Sequence, residues 1–267
     1  MLLIISIITI LKVNIESYRW YYILKSLRQD VKLKSLFSLY MIGGFFNIFL
    51  PSTIGGDALR ILYIKNEKFS TLEATNTVLL ERVTGIYAML LITLSSTIFG
   101  WKFLVNEFKL IILVSSSVGL ILMTLLHVNY PLIISFSKKI KTRYNYGILN
   151  KMYFLIKSIN FNHFKNSVLL HSIIMSVLIQ LTVYGVTMLV GKSLGLNQIK
   201  VYHYLVLLPP IIIISLLPIS LGGFGVREGL FSIFFSPLNV TLEQSTSLSI
   251  LSFLPFLIDS TKPLFIK

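Results

Sequence analysis

The stretch LPSTIGGDALR at Leu50–Arg60 recurs as LPISLGGFGVR at Leu217–Arg227. The proline and the arginine are nine residues apart in both copies. Each copy interrupts an apolar segment with proline and glycine, which break helices, and then places an arginine. Broken apolar segments at corresponding places in two halves of a chain are typical of transporters with internal repeats, where they mark the binding site. The repeated motif therefore predicts a polar site inside a membrane.

The composition also indicates a membrane protein. Of the 267 residues, 55% are hydrophobic and 13% are charged, with a mean hydropathy of +0.81, whereas a soluble domain has about 25% charged residues. The sequence contains no cysteine, which excludes disulfides and thiolate metal sites. Its net charge of +14 comes without an aromatic and basic stripe on a soluble domain. We therefore expect the charge to face anionic lipid, and no nucleic acid partner.

Apolar stretches predict the helices. Those that best match the ~20 residues needed to cross a bilayer are 84–101, 110–126 and 167–190. We interpret the broken segments as re-entrant hairpins, with full spans as the competing interpretation, because an unsatisfied backbone group in hydrocarbon costs several kcal/mol. The predicted fold class is an all-α polytopic membrane protein with about five spanning helices and two re-entrant hairpins broken by proline and glycine. The remaining apolar stretches lie at about 1–24, 35–50, 203–221 and 246–258.

The chain is predicted to be one transmembrane domain over 1–267, with a first repeat at about 35–126 and a second at about 167–267. Between the repeats, residues 127–165 carry seven Lys and Arg residues and no acid. The positive-inside rule predicts that this basic interfacial segment is cytoplasmic, in a multi-pass protein of the cell (plasma) membrane. If the first hairpin is re-entrant, three spans separate the two motif copies, so the second hairpin enters from the opposite face. The pattern thus predicts an inverted repeat.

A second similarity follows each motif copy. The sequence STLEAT at residues 70–75 resembles VTLEQS at residues 240–245, at a shift of about 170. Ser70 and Glu73 have the spacing of a capping box, which predicts the start of a helix. We expect this helix to continue through Glu81 and Arg82 into the span at 84–101.

The charged residues beside the breaks suit a phosphate. An ionisable side chain at membrane depth costs ~2.5–3.5 kcal/mol or more, so it needs a partner or a polar ligand. Free backbone N–H groups at a break and the bidentate fork of arginine both fit a lipid phosphodiester. We predict that Arg60 and Arg227 receive the phosphate, and that Asp57 and Glu228 pair with them when the site is empty. The competing interpretation is interfacial loops whose arginines extend to the headgroups.

The predicted site has no catalytic and no metal-binding residue. The four histidines lack the spacing of metal ligands, and no nucleotide-binding or serine-hydrolase motif occurs, so we expect no cofactor. The predicted headgroup-binding residues are Asn47, Gly55, Gly56, Asp57, Arg60, Glu81, Arg82, Gly222, Gly223, Arg227 and Glu228, and the predicted hinge residues are Pro51, Pro218 and Gly225.

On these residues, the chain resembles the transmembrane region of the lysylphosphatidylglycerol synthase family, also called the flippase-like domain family. The resemblance rests on residues 47–60, on Glu81 and Arg82 with Gly85, and on residues 217–228. It implies a helical membrane domain that binds or moves lipids with polar headgroups, such as aminoacylated phosphatidylglycerol or polyprenyl-linked sugars. In multidomain relatives, a separate soluble domain performs aminoacyl transfer. No such domain follows the last apolar stretch of this chain, so we expect no synthase activity from it.

Three functions are compatible with the sequence. The first is translocation of a phospholipid or a polyprenyl-phosphate-linked headgroup, with a separate transferase or glycosyltransferase as a partner. The second is a membrane subunit of a lipid-modifying system, such as aminoacyl-phosphatidylglycerol synthesis. The third is a non-catalytic scaffold that binds the helices of another membrane protein. The repeated motif favours the first.

Overall fold

In a computed structural model, the chain is built from helices. The structure describes residues 2–27, 31–49, 54–65, 69–104, 106–143, 153, 157, 164–216, 220 and 223–261. Within these ranges it contains no strand, which confirms the predicted all-α class. The described α-helices are α1 (Leu2–Ser26), α2 (Leu33–Phe49), α3 (Ile54–Ile64), α4 (Thr71–Phe99), α5 (Asn106–Val128), α6 (Tyr130–Arg143), α7 (Asn166–Ser193), α8 (Val201–Ser215), α9 (Val226–Phe235) and α10 (Leu242–Thr261).

Three of the described helices are long and apolar enough to cross a membrane. They are α4, α5 from Lys109 onwards, and α7. The last two contain the predicted spans 110–126 and 167–190, and α4 contains all but the last two residues of the predicted span 84–101. Helices α2 and α8 are apolar but shorter. The helices on either side of each break, α2 with α3 and α8 with α9, pack against each other. The total of about five spans and the re-entrant course of the two hairpins stay predictions.

Helix α4 begins at the position that the capping box of Ser70 and Glu73 predicts. The backbone N–H of Glu73 donates to the Ser70 hydroxyl at 3.2 Å, and the N–H of Ser70 donates to the Glu73 carboxylate at 2.9 Å. Helix α10 begins in the same way, because Thr241 and Gln244 exchange the corresponding bonds at 3.2 and 3.1 Å. In the structure, Thr241 is thus the counterpart of Ser70, which places the repeat one residue later than the similarity to VTLEQS indicates.

The packing of the helices repeats. The contacts α1–α2, α2–α3, α3–α4 and α1–α4 have the counterparts α7–α8, α8–α9, α9–α10 and α7–α10. The contacts between the two groups are also reciprocal, since α4–α8 matches α2–α10 and α4–α7 matches α1–α10. Helix α1 packs directly on α7. The contacts thus divide these helices into two four-helix units with corresponding packing, α1–α4 and α7–α10.

The predicted repeat bounds stay a prediction. Helix α1, which precedes the bounds 35–126, packs on α2 and α4 of the first unit. Helix α5 packs on α4 and carries α6, and no described helix of the second unit corresponds to it. Its outer face is apolar, with Leu110 and Ile111 exposed by 65% and 66%. An apolar exposed face is expected where a helix contacts lipid.

Glycine allows close helix packing at two places. A Cβ on Gly43 of α2 would lie 3.2 Å from the carbonyl oxygen of Gly56 in α3. A Cβ on Gly191 of α7 would lie 2.0 Å from the Tyr204 hydroxyl of α8. Glycine at Gly43 and Gly191 therefore permits these helices to approach more closely than any other residue would.

Candidate functional site

A cavity of about 380 Å³ lies where the two helical units meet. All eight helices of the two units contribute to its wall. Arg60 of α3 and Arg227 of α9, the arginines that end the two motif copies, both line it. The fold therefore brings together residues that are 167 positions apart in the chain.

Cations outnumber carboxylates in the described lining of this cavity. Much of the remaining lining is aliphatic, including Ile86, Leu208 and Ile212. The lining has five cations and three carboxylates, and one positive charge remains when Glu228, the partner of Arg227, is included, which favours an anionic ligand. The cations are Lys12, Arg19, Arg60, Arg82 and Arg227, and the carboxylates are Glu16, Asp57 and Glu81.

Glu81 of α4 is the centre of a buried ionic network. It is 3% exposed, and it accepts a hydrogen bond from Arg19 Nε of α1 at 3.2 Å. The hydroxyl of Tyr40 in α2 and the guanidinium of Arg60 in α3 donate to the same carboxylate. Arg19 also donates to the hydroxyl of Ser176 in α7 at 2.7 Å. One carboxylate thus connects four helices of the first unit, and Arg19 extends the network to the second.

The guanidinium of Arg60 is enclosed on both faces. Its Cζ lies 4.0 Å from the centre of the Trp20 ring and 3.9 Å from the centre of the Tyr40 ring. At its edge, Nη1 donates to Asp57 Oδ1 at 3.3 Å. Aromatic faces attract a cation electrostatically, and the attraction is stronger when the pair is desolvated. Arg60 is therefore held by contacts on its faces as well as by two carboxylates.

Arg82 is the more accessible arginine of this wall. Its side chain is 33% exposed, whereas that of Arg60 is 7% exposed. Arg82 Nε donates to Asp57 Oδ2 at 2.7 Å. Since Asp57 accepts from Arg60 through its other oxygen, one carboxylate connects the buried arginine to the accessible one.

The second motif copy has an ionic cluster of its own. Arg227 Nη2 donates to Glu228 Oε1 at 3.2 Å, and Arg227 Nε donates to the hydroxyl of Ser249 in α10 at 3.1 Å. The Ser249 hydroxyl donates to Glu228 Oε1 at 3.0 Å. The backbone N–H of Gly225 donates to Glu228 Oε2 at 2.6 Å, which caps α9. Glu228 therefore keeps two further hydrogen bonds besides its ion pair.

The turn before α9 depends on glycine. Gly223 and Gly225 have φ of +81° and +80°, which is the left-handed region that other residues rarely adopt. Phe224 lies between these two glycines in the chain, and it is 41% exposed.

The structure places the predicted site residues in three groups. Asp57, Arg60, Glu81, Arg82 and Arg227 line the cavity. The described residues Gly55, Gly56, Gly223, Gly225 and Glu228 are not part of its lining, and Gly56 is buried where α2 and α3 pack. The side chain of Asn47 and the residues Pro51, Pro218 and Gly222 lie outside the described part of the chain.

Helix α1 supplies cavity residues that the sequence analysis missed. Lys12, Glu16 and Arg19 have the spacing i, i+4, i+7, which puts them on one face of a helix. Lys12 Nζ and Glu16 Oε1 form an ion pair at 3.1 Å, and all three line the cavity. Charges at helical spacing within an apolar stretch were the available signal. Nothing in the sequence pattern distinguishes Trp20 and Tyr40 from other aromatic residues.

Comparison with known proteins gave one match. The family described as "Lysylphosphatidylglycerol synthase TM region" matches residues 1–255 of the 267. No curated protein and no solved structure matched the chain. The matched region contains both motif copies and every described residue of the cavity wall. The chain is thus an integral membrane protein, and it belongs to the family of the lysylphosphatidylglycerol synthase transmembrane region, whose membrane domains are linked to lipid modification or lipid flipping.

Proposed function

We propose that this protein binds a membrane lipid by its headgroup phosphate and moves that headgroup across the membrane. The substrate class is a phospholipid or a polyprenyl-phosphate-linked lipid. The observation that carries the proposal is that Arg60 and Arg227, at equivalent places in the two motif copies, line one cavity between the two helical units. In proteins built from two repeats, the interface between them is the usual place for the substrate.

The charges of the cavity support an anionic headgroup. Its described lining, with Glu228 included, has a surplus of one positive charge, and arginine offers the planar pair of donors that a phosphate accepts. A lipid headgroup that enters the cavity leaves water, so its charge must be compensated by protein groups. The surplus positive charge supplies this compensation.

Arg82 and Arg227 are better placed than Arg60 to receive the phosphate. Both Arg60 and Arg227 lie against two rings, but Arg60 also pairs with two carboxylates. A ligand that bound Arg60 would therefore have to break both ion pairs of the buried network. Arg82 and Arg227 are each held by a carboxylate, Asp57 and Glu228, which balances their charge in the absence of lipid. We infer that phosphate exchanges with these carboxylates, and that Arg60 positions Asp57.

The reciprocal packing of the two units supports a mechanism of alternating exposure. The cavity lies between units that contact each other through α1–α7, α4–α8 and α2–α10. Rocking of one unit against the other would open the cavity first to one side and then to the opposite side. The inverted orientation predicted for the hairpins is the arrangement that makes the two openings equivalent.

The proposed setting is the plasma membrane, with residues 127–165 on the cytoplasmic side. A separate transferase or glycosyltransferase is the partner we propose, because a translocated lipid needs an enzyme that makes or uses it.

Translocation in liposomes tests this function directly. The protein is reconstituted with phosphatidylglycerol carrying a fluorescent headgroup, and a membrane-impermeant quencher reports when inner-leaflet label reaches the outer leaflet. We expect the wild type to increase the rate over protein-free liposomes. We expect Arg82→Gln and Arg227→Gln to reduce the rate by about tenfold or more, because a hydrogen bond to a charged group contributes roughly 1.5–3 kcal/mol.

The variants are chosen so that the fold survives. In Arg82→Gln, Asp57 still pairs with Arg60, and in Arg227→Gln, Glu228 still accepts from Gly225 and Ser249. Lys109→Gln is the matched control, because Lys109 lies on α5 away from the cavity lining. A folded wild type that moves no anionic lipid, or translocation that both arginine variants leave unchanged, would contradict the proposal.

A further inference from the structure

The two repeats place different chemistry at equivalent positions. Asp57 and Phe224 each follow the motif proline by six residues, and Arg82 and Phe253 each follow the N-cap residue of the next long helix by twelve. In the first unit, Asp57 and Arg82 form an ion pair at 2.7 Å. In the second unit, the rings of Phe224 and Phe253 contact each other at 6.0 Å between centroids, nearly edge to face. Two phenyl rings thus stand where the first repeat has an ion pair.

The ring pair connects the cavity with the molecular surface. Phe253 lines the cavity, whereas Phe224 is 41% exposed. The turn that presents Phe224 requires glycine on both sides of it, with φ of +81° at Gly223 and +80° at Gly225. The fold therefore holds Phe224 at the surface, outside the cavity, and Phe253 in the cavity wall.

A cation lies directly beside these rings. The Cζ of Arg227 is 4.1 Å from the centre of the Phe253 ring and 5.4 Å from that of Phe224. A guanidinium next to two hydrocarbon surfaces matches the junction of an amphiphile, where a phosphate joins its lipid chain. In the first unit, Asp57 and Arg82 occupy the places of these two rings. The equivalent arginine, Arg60, lies between the rings of Trp20 and Tyr40, and its side chain is only 7% exposed.

We propose that Phe224 and Phe253 form a portal for the lipid chain. The phosphate binds Arg227, the first carbons of the chain lie on the two rings and extend past Phe224 into the bilayer, and the rest of the headgroup faces the ionic wall of Asp57, Glu81 and Arg82. This inference rests on the proposed function and deepens it. It assigns the ligand as an amphiphile recognised partly by its chain, which enters from the side of the protein, rather than as a water-soluble headgroup.

The dependence of affinity on chain length tests the portal. The protein, solubilised in amphipol, is titrated calorimetrically with three ligands. They are glycerophosphoglycerol, which has no acyl chain, and the dibutanoyl and dihexanoyl forms of phosphatidylglycerol. Each methylene that leaves water on a protein surface improves Kd by about fourfold. For the wild type we expect dihexanoyl phosphatidylglycerol to bind at least about fourfold more tightly than the dibutanoyl lipid.

The variants separate the contribution of the lipid chain to the affinity from that of the headgroup. Phe224→Ala and Phe253→Ala should reduce the ratio between the affinities for the two lipids to less than about twofold. This ratio reports the contribution of the lipid chain, because any change at Arg227 affects both lipids alike. Arg227→Gln should weaken all three ligands by about tenfold or more. Phe99→Ala is the matched control, since Phe99 is 87% exposed at the end of α4, away from the cavity lining.

The outcomes distinguish the portal from the function on which it rests. If both phenylalanine variants keep the wild-type ratio, the rings only pack the turn onto α10 and the portal is wrong, while headgroup binding stands. If the folded wild type binds none of the three ligands, the proposed function itself fails. Phe224 is 41% exposed and is not part of the cavity lining, so its substitution disturbs the wall less than that of Phe253. Phe224→Ala therefore decides the test if Phe253→Ala does not fold.

Discussion

Glu81 and Arg19 form a buried ion pair, with 3.2 Å between Arg19 Nε and Glu81 Oε1, although 62 residues separate them in the chain. The second oxygen of Glu81 accepts from Arg60, so one carboxylate balances two guanidinium groups. Desolvation of such charges is costly, and it is offset only while every member is present. The network therefore makes the positions of α1, α3 and α4 depend on one another, and it lies in the wall of the proposed binding site.

Removing the charge of Glu81 should strongly destabilise the protein. Glu81→Gln leaves Arg19 and Arg60 buried without their common counterion, and breaking a buried pair costs about 3–5 kcal/mol. We expect a clear loss of thermal stability in detergent, followed by intrinsic fluorescence. Glu243→Gln, at the solvent-exposed start of α10, is the control and should change stability little. Equal stability of the two variants would show that the network does not hold the fold.

The contact between α7 and α8 makes a steric prediction. Gly191→Ala would place a methyl group 2.0 Å from the Tyr204 hydroxyl, so we expect a loss of about 1–3 kcal/mol in the free energy of unfolding. Removal of that hydroxyl in Gly191→Ala with Tyr204→Phe should restore part of the loss. Gly185→Ala in the same helix has open space around its new Cβ, so it should be neutral or stabilising. Chemical denaturation of the four proteins checks all three expectations.

Substitution of Gly225 should destabilise the protein through backbone strain alone. Its φ is +80°, but a Cβ there would meet no atom within 4 Å, so Gly225→Ala tests conformation without a clash. Because its ψ of −52° places Gly225 outside the left-handed α region as well, we expect a cost of about 1–3 kcal/mol. Gly229→Ala, also in open space but within α9, should cost nothing. The same stability for both variants would mean that the turn before α9 has another conformation.

The two capping boxes predict equal costs in the two repeats. Ser70→Ala and Thr241→Ala each remove the hydroxyl that accepts the first free N–H of a long helix, which costs about 1 kcal/mol. Comparable drops in thermal stability are therefore expected. A cost at Ser70 with none at Thr241 would argue against the correspondence between α4 and α10 that the structure shows.

Gly85 offers a way to fill the cavity. It lines the cavity, and a Cβ there would meet no atom within 4 Å. Gly85→Leu should therefore reduce lipid translocation about fivefold or more while stability stays within ~1 kcal/mol of the wild type, because the larger residue also has the better helix propensity. Gly85→Ala, which adds only a methyl group, is the matched control. Unchanged translocation in Gly85→Leu would place the transport route elsewhere.

Several features were predictable because they are local. A run of apolar residues of sufficient length is enough to predict α4, α5 and α7 as spans. The start of α4 depends on Ser70 and Glu73, three positions apart, and the repeat is visible as two similar motifs. The second capping box was not predicted, because VTLEQS matches STLEAT at a shift of 170, whereas the structure makes Thr241, at a shift of 171, the counterpart of Ser70.

The partners of the charged residues were less predictable. Pairing of Asp57 with Arg60 and of Arg227 with Glu228 was expected from their proximity in the chain, and both pairs occur. Arg19 was not expected at the site, because its partners Glu81 and Ser176 lie 62 and 157 residues away. Residues so far apart in the sequence form no local pattern from which their contact could be predicted.

The sequence by itself determined the membrane setting, the helical class and the repeated pair of broken segments, because hydrophobic length and helix breakers act within a few turns of the chain. Only the tertiary structure decided which charges meet. It enclosed Arg60 between Trp20 and Tyr40 and left Arg82 partly exposed. The physical reason is that a buried charge takes its partner from whichever helices pack around it, and that packing is settled by the whole set of helix contacts rather than by any one segment.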